Sequence, residues 1–315
     1  MQKILVTGSA GQIGTELVPA LRKRYGNENV IAGYHSKLPN EEVANNGPLE
    51  KVNANDKEEV EKIVKKYNVD TIFHLAGLLS SASEKNPDLA WEINLLALKN
   101  ILDIAKENKL KIFWPSSIAA FGPTTPKVNT PQSTILEPNT MYGVAKVAGE
   151  LLCNYYFKKY GVDARSIRYP GIITWKTEPS DGTTEYSIAM FYEGIRKGRY
   201  KCFLKEGTLL PMMYIDDAIK ATIDIMNAPA EKIKIRTSYN LTAFSFAPEE
   251  LAAELKKYIP GLKVTYEPDF HQPIADSWPK SIDDSAARKD WNWKHSYDLK
   301  KMTEEMFKNL KKILK

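Results

Sequence analysis

Tyr142 and Lys146 stand in the run Met-Tyr-Gly-Val-Ala-Lys, and Pro115-Ser116-Ser117 lies upstream of them. On a helix, residues i and i+4 share one face a turn apart, so the ammonium sits beneath the phenol. A nearby cation favours the phenolate and lowers a tyrosine pKa from its usual value of about 10. The spacing therefore predicts Tyr142 as a general base toward a substrate hydroxyl, with Ser117 at a strand end holding the same oxygen. The same pair also occurs on helices where a half-buried ring and a snorkelling lysine do no chemistry. The elements around it decide.

The first such element opens the chain. Lys3 to Val6 is a short apolar run, followed by Thr7-Gly8-Ser9-Ala10-Gly11-Gln12-Ile13-Gly14 and a helical pattern through Arg24. Strand, glycine turn and helix are the start of a dinucleotide-binding βαβ unit, with the helix N-terminus facing a pyrophosphate. The glycine spacing is GxxGxxG rather than the commoner GxGxxG. Asn29 to Ala32 reads as a second strand, and Asp56 with Glu59 as a capping box for a helix with the stripe Val60, Ile63, Val64 and Tyr67.

Thr71 to Gly77, Lys111 to Pro115 and Asp163 to Arg168 read as further buried strands. Their alternation with helices predicts an α/β fold, a Rossmann-type doubly wound parallel sheet covered on both faces. His74, inside a strand, reads as a satisfied core histidine before a ligand. Beyond Gly171 the pattern loosens, with Pro-, Gly- and Thr-rich segments at 171–213, 237–248 and 261–285, and helices at Ile215 to Met226 and Pro248 to Tyr258. We expect a dinucleotide-binding domain over 1–170, also receiving part of 214–245, and a smaller C-terminal substrate lobe mainly from 171–315.

Composition narrows the class of function. The 315 residues carry 43% hydrophobic and 26% charged side chains, and a net charge of +5 with acids interleaved among the lysines. That balance predicts solubility and no nucleic-acid partner. Lys308, Lys311, Lys312 and Lys315 read as the solvated face of a helix whose other face carries Leu299, Met302, Met306, Leu310 and Ile313. Cys153, Cys202 and four scattered histidines lack metal-ligand spacing, so no metal is expected. No apolar run reaches the roughly 18 residues of a membrane span and no signal peptide is evident, so we expect a reducing, cytoplasmic setting without a membrane partner.

Taken in order, Thr7 to Gly14, Leu75-Ala76-Gly77, Asn94, Pro115-Ser116-Ser117, Tyr142 with Lys146 and Arg168-Tyr169-Pro170-Gly171 resemble the extended short-chain dehydrogenase/reductases, the superfamily of nucleotide-sugar epimerases. Within it the chain most resembles the epimerase-like L-threonine 3-dehydrogenases, through Gly182-Thr183-Thr184-Glu185-Tyr186, Leu210 to Tyr214 and Ala275-Asp276-Ser277-Trp278-Pro279. That resemblance implies zinc-independent oxidation of the 3-hydroxyl of L-threonine to 2-amino-3-oxobutanoate. Tyr142 would take the proton, Lys146 lower its pKa and bind ribose, and Ser117 orient the hydroxyl. It further implies cofactor contacts at Gly8, Gly11, Gln12, Ile13, Gly14, Asn53, Ala54, Leu75, Ala76, Asn94, Ser116, Tyr169 and Ile172. Substrate contacts are implied at Ser80, Gly182, Thr183, Thr184 and Trp278, although threonines in turns often bond their own backbone and Trp278 also suits a core.

One place departs from the usual pattern. An acid normally ends the second strand to hold the ribose of NAD, and here Tyr34-His35-Ser36-Lys37 follows Gly33. Ser36 and Lys37 could accept a 2′-phosphate, which favours NADP. Tyr34 stacking on adenine would leave NAD acceptable, as the resemblance implies. Two rival functions share much of this equipment: a nucleotide-sugar epimerase or dehydratase, and a non-catalytic NAD(P)-sensing regulator. Apolar stripes on the helices Asp88 to Lys106 and Tyr142 to Tyr160 suit a homodimer, as in relatives, as well as cover for the sheet.

Overall fold

The computed structural model describes residues 2–314, so Lys315 lies outside the description. Twelve strands are formed among the described residues: β1 (Ile4–Thr7), β2 (Val30–Tyr34), β3 (Leu49–Lys51), β4 (Thr71–His74), β5 (Lys111–Ser117), β6 (Ala164–Tyr169), β7 (Gly171–Ile173), β8 (Arg199–Cys202), β9 (Leu210–Tyr214), β10 (Tyr239–Asn240), β11 (Phe244–Phe246) and β12 (Lys263–Tyr266). Seven make one sheet in the order β10-β6-β5-β4-β1-β2-β3, and every pairing within it is parallel. The chain reverses its direction of growth between β1 and β4. Ligands bind such sheets at the carboxyl ends of the strands beside that switch point.

Period-two alternation assigns the strand residues to two cores. Ile4, Val6, Val30, Ala32, Phe73 and Phe113 meet Leu17, Val18 and Leu21 of the helix Gln12–Tyr25 and Ala218 and Ile225 of the helix Ile215–Asn227. Leu5, Ile31, Ile72 and Ile112 face the other way, onto Val60, Ile63 and Val64 of the helix Lys57–Tyr67 and Leu98, Ile101 and Leu102 of Ala97–Asn108. The doubly wound sheet expected from sequence is the one observed. Its β10 comes from late in the chain, beside β6.

Several local expectations are corrected. Asp56 caps its helix by accepting from the Glu58 and Glu59 amides, but Glu59 Oε2 reaches back to the Asn53 amide at 2.8 Å rather than to Asp56. The expected capping box is thus stretched to fasten the segment leaving β3. The loose stretch 171–213 is ordered: it holds β7, the helix Tyr186–Lys197, β8 and β9. Pro211 hid β9, yet it is tolerated because β7 begins to pair only at Met212. On the helix Leu299–Ile313, Met302, Met306 and Leu310 are buried, while Ile313 is 54% exposed and falls outside the expected apolar face.

Candidate active site

The glycine turn after β1 is shaped by close backbone approach. Gly8 has φ 74°, and a Cβ there would lie 2.7 Å from the Ala76 nitrogen; one at Gly14 would lie 2.4 Å from the Gly8 oxygen. Only hydrogen fits at either place, so the turn nests between the loop after β4 and its own helix. The helix Gln12–Tyr25 has no acid in its first turn. Its unpaired amides and positive dipole end suit a pyrophosphate. Gly8, Gly11, Gln12, Ile13, Gly14, Leu75 and Lys37 line the groove in front of them.

This groove opens into a second hollow that shares Gln12, Ile13 and Leu75. Its floor is the end of β5. The Ser117 hydroxyl accepts from the Ala119 amide at 3.2 Å, which turns the chain at the strand end. Tyr142 and Lys146 project from the first turns of the helix Met141–Tyr160, whose cap Thr140 accepts from the Gly143 amide at 3.1 Å. Lys146 Nζ lies 5.2 Å from the centre of the Tyr142 ring and 4.6 Å from that of Trp114, and donates to the Pro115 carbonyl at 2.6 Å. The two sequence-predicted groups and Ser117 therefore do meet.

Their electrostatics differ from the expectation. Burial pushes the Tyr142 phenol up to about 12, with Ser117 opposing. Burial pushes the Lys146 amine down to about 7, opposed first by Glu150. The expected lowering of the tyrosine by the lysine is absent, because removing both groups from water outweighs their mutual effect. The pair is tuned as a weakly acidic phenol above a weakly basic amine.

Ser80, Gly182, Thr183, Thr184 and Trp278 form the far wall of the same hollow, with Ala76, Ser116, Tyr169 and Ile172 around its base. Ser80 Oγ and Thr183 Oγ1 are 3.4 Å apart across it. Thr184 uses its carbonyl to hold Ser187, at 2.8 Å to the hydroxyl. Trp278 is 5% exposed, belongs to the apolar core and also faces the hollow, so its two readings are compatible.

Six predicted cofactor positions lie off these walls. Tyr34 is half-buried at the end of β2, with His35 and Ser36 exposed beyond it. Asn53 lines a separate depression with Asn55 to Glu58, and Ala54 is buried. Asn94 acts one step away: its side chain accepts from the Leu78 amide at 2.7 Å and donates to the Leu78 carbonyl at 3.2 Å, bracing the loop after β4. His74 is fully buried with Nδ1 2.8 Å from Thr7 Oγ1, while Nε2 has no partner. It is a core histidine, satisfied on one nitrogen.

Sequence reasoning passed over two carboxylates. Glu185 lies between both hollows, takes the Ser180 amide at 3.0 Å and has its pKa raised by burial. Its signal was its place directly after the Gly-Thr-Thr run. Glu150 lies one turn below Lys146, 1% exposed, in an ion pair with Arg168; the continued i+4 spacing from Tyr142 through Lys146 pointed to it.

A glycine turn, an acid-free helix start, and serine, tyrosine and lysine at one strand end are the parts of a nicotinamide dinucleotide enzyme. Residues 4–241 match the NAD dependent epimerase/dehydratase family, and the chain belongs to that family. An uncharacterized epimerase/dehydratase of Staphylococcus haemolyticus is 50% identical over 309 residues, covering 98% of this chain and 97% of its own. Among solved structures, an L-threonine dehydrogenase from Clostridium difficile superposes with a TM-score of 0.96 at 50% identity, covering 99% of this chain and 98% of that one. A monomeric L-threonine 3-dehydrogenase from a metagenome gives 0.95 at 47% identity, covering 99% of this chain and all of that one.

Proposed function

We propose that this chain oxidises the 3-hydroxyl of L-threonine to 2-amino-3-oxobutanoate. The observation that carries the reading is Ser117, Tyr142 and Lys146 converging opposite the Gly182 to Thr184 turn and Ser80, in a chain 50% identical to an L-threonine dehydrogenase. A bound nicotinamide dinucleotide supplies the acceptor for the hydride leaving C3. Tyr142, having passed its own proton to the Lys146 amine held on the Pro115 carbonyl, takes the hydroxyl proton as that bond to hydrogen breaks, which leaves a neutral phenol over an ammonium. Ser117 holds the reacting oxygen, while the hydroxyls of Ser80, Thr183 and Thr184 receive the amino-acid end.

The division of labour is a cofactor domain at 1–170 with part of 214–245 and a substrate lobe mainly from 171–315. The test is nicotinamide reduction by purified protein with L-threonine, run with NAD and NADP, and with L-serine, L-allo-threonine and a nucleotide sugar as controls. Turnover confined to L-threonine is expected. Nucleotide binding without threonine turnover overturns the reading in favour of the epimerase or the regulator.

Lys37 on the groove wall, with no carboxylate at the end of β2, favours NADP over NAD. A charge-assisted hydrogen bond of about 1.5–3 kcal/mol corresponds to a preference of roughly ten- to a hundredfold. Lys37→Met should remove that preference while leaving NAD affinity within about twofold; an unchanged cofactor ratio refutes it.

We further read the exposed Trp91, Leu96, Val144, Leu151 and Tyr155, on 87–108 and 141–160, as the face of a homodimer. Light scattering at micromolar protein decides between this and a monomer like the metagenome relative. Among the described residues no helix is long and apolar enough to cross a membrane, and the buried free thiols of Cys153 and Cys202 go with a reducing, cytoplasmic setting.

A further inference from the structure

We propose that Glu150, clamped between Arg168 and Ser116, is a positioning residue that supplies the counter-charge to Lys146 and fixes the end of β5. The inference rests on the reading of Tyr142 and Lys146 as the proton-transfer pair.

The clamp is closed on every side. Glu150 Oε1 accepts from Ser116 Oγ at 2.6 Å and from Arg168 Nε at 2.8 Å, and Oε2 accepts from Arg168 Nη2 at 2.6 Å. Arg168, 3% exposed, gives its remaining Nη1 to Asn240 Oδ1 at 3.0 Å and the Gln132 carbonyl at 3.2 Å. Asn240 in turn donates to the carbonyls of Thr130 and Asp283. One carboxylate thus ties the catalytic helix to β5, β6 and β10. Ser116 is the neighbour of Ser117, so the clamp also sets where the reactive strand ends.

Fold stability is a poor account of this pair. Replacing a buried ion pair by apolar residues of similar volume is often neutral or stabilising. Proximity to Lys146 gives a better one. From its own helix Lys146 faces the Tyr142 ring at 5.2 Å, whose phenol burial keeps neutral, and also Glu150 and Cys153; from β4 it faces His74, and from β5 Trp114 and the Pro115 carbonyl, with Arg168 of β6 behind Glu150. Burial holds Cys153 up at about 12 and His74 down at about 3, so both are neutral near neutral pH. Glu150 is left as the anion that opposes the desolvation of Lys146.

The experiment follows Lys146 directly, by NMR titration of lysine labelled with ¹³C at Cε, with Lys146→Arg identifying the resonance. The arms are the wild type, Glu150→Gln, and the apolar double variant Glu150→Leu with Arg168→Met. The titration should move at least about one pH unit toward acid in Glu150→Gln, a tenfold loss of charged lysine at neutral pH, and in the same direction by less in the double variant, which removes the Arg168 cation lying behind the anion. kcat for threonine should fall about tenfold with KM within about twofold. If Glu150→Gln does not fold, the double variant carries the test, since it leaves no unpaired buried charge. An unmoved titration overturns the inference, as does a raised KM with intact kcat. Absence of threonine turnover in the wild type overturns the assignment of substrate, while the titration still reports on Glu150.

Discussion

Mutating Lys146 to Met should change the shape of the pH profile, not only its height. With the phenol at about 12 and the amine at about 7, the reactive arrangement is phenolate over ammonium, which holds one proton between the two groups. That arrangement is the minor form: five pKa units correspond to roughly one molecule in 10⁵, or about 7 kcal/mol. Its share rises tenfold per pH unit up to about 7 and then stays level, because each further phenolate gained is offset by an ammonium lost. The wild-type kcat/KM should therefore climb with unit slope below pH 7 and flatten between 7 and 8. Without the amine there is no such break, and Lys146→Met should keep climbing tenfold per unit through the same range. His74 at about 3 and Cys153 at about 12 do not titrate there. The assay is initial-rate reduction at saturating cofactor, with threonine deuterated at C3 to establish that hydride transfer limits the rate. A wild-type profile still climbing at pH 8, or a break that survives in Lys146→Met, refutes the paired assignment.

Three further outcomes are expected. Thr184→Ala should raise KM for threonine about tenfold, the worth of one lost hydrogen bond, with kcat little changed; an unaltered KM removes Thr184 from the substrate wall. Because His74 is held down to about 3 from 6.5, the unfolded chain binds a proton that the folded one refuses between those values. Stability conferred by neutral burial is complete above about 6.5 and falls by roughly 1.4 kcal/mol per unit as pH drops toward 3. Chemical denaturation at pH 7 and 5 should show a loss of about 2 kcal/mol that is absent in His74→Gln; equal losses in both proteins exclude the histidine. Gly14→Ala should abolish nucleotide binding measured by calorimetry, because the new methyl collides with the Gly8 carbonyl; near-native affinity would show that the turn yields.

Much of the cofactor half was legible because its physics is local. The run Lys3 to Gly14 carries strand, turn and helix signals in sequence, and the i+4 pair of Tyr142 and Lys146 needs only a helix to meet. Where long-range packing decides, the sequence was mute. Pro211 disguised a central strand that pairs with β11 through Leu210 to Met212 and with β7 only from Met212 onward. Asn94 stood out in sequence beside the nucleotide motifs, and only the fold shows its side chain bracing Leu78. Desolvation, which reverses the expected shift of Tyr142, depends on every wall of the hollow at once.

The 3.4 Å approach of Ser80 to Thr183 joins groups 103 residues apart, whereas Gly8 meets Ala76 within the first half of the sheet. Closing so long a loop comes after the nearby pairings have formed. A chain growing from its N-terminus therefore sets the glycine turn against the loop after β4 before Thr183 exists, but the nucleotide groove and the substrate hollow both wait for Glu185, which lines each of them. One late segment thus finishes both sites, and the chain gains its place for cofactor and its place for substrate in the same step of folding.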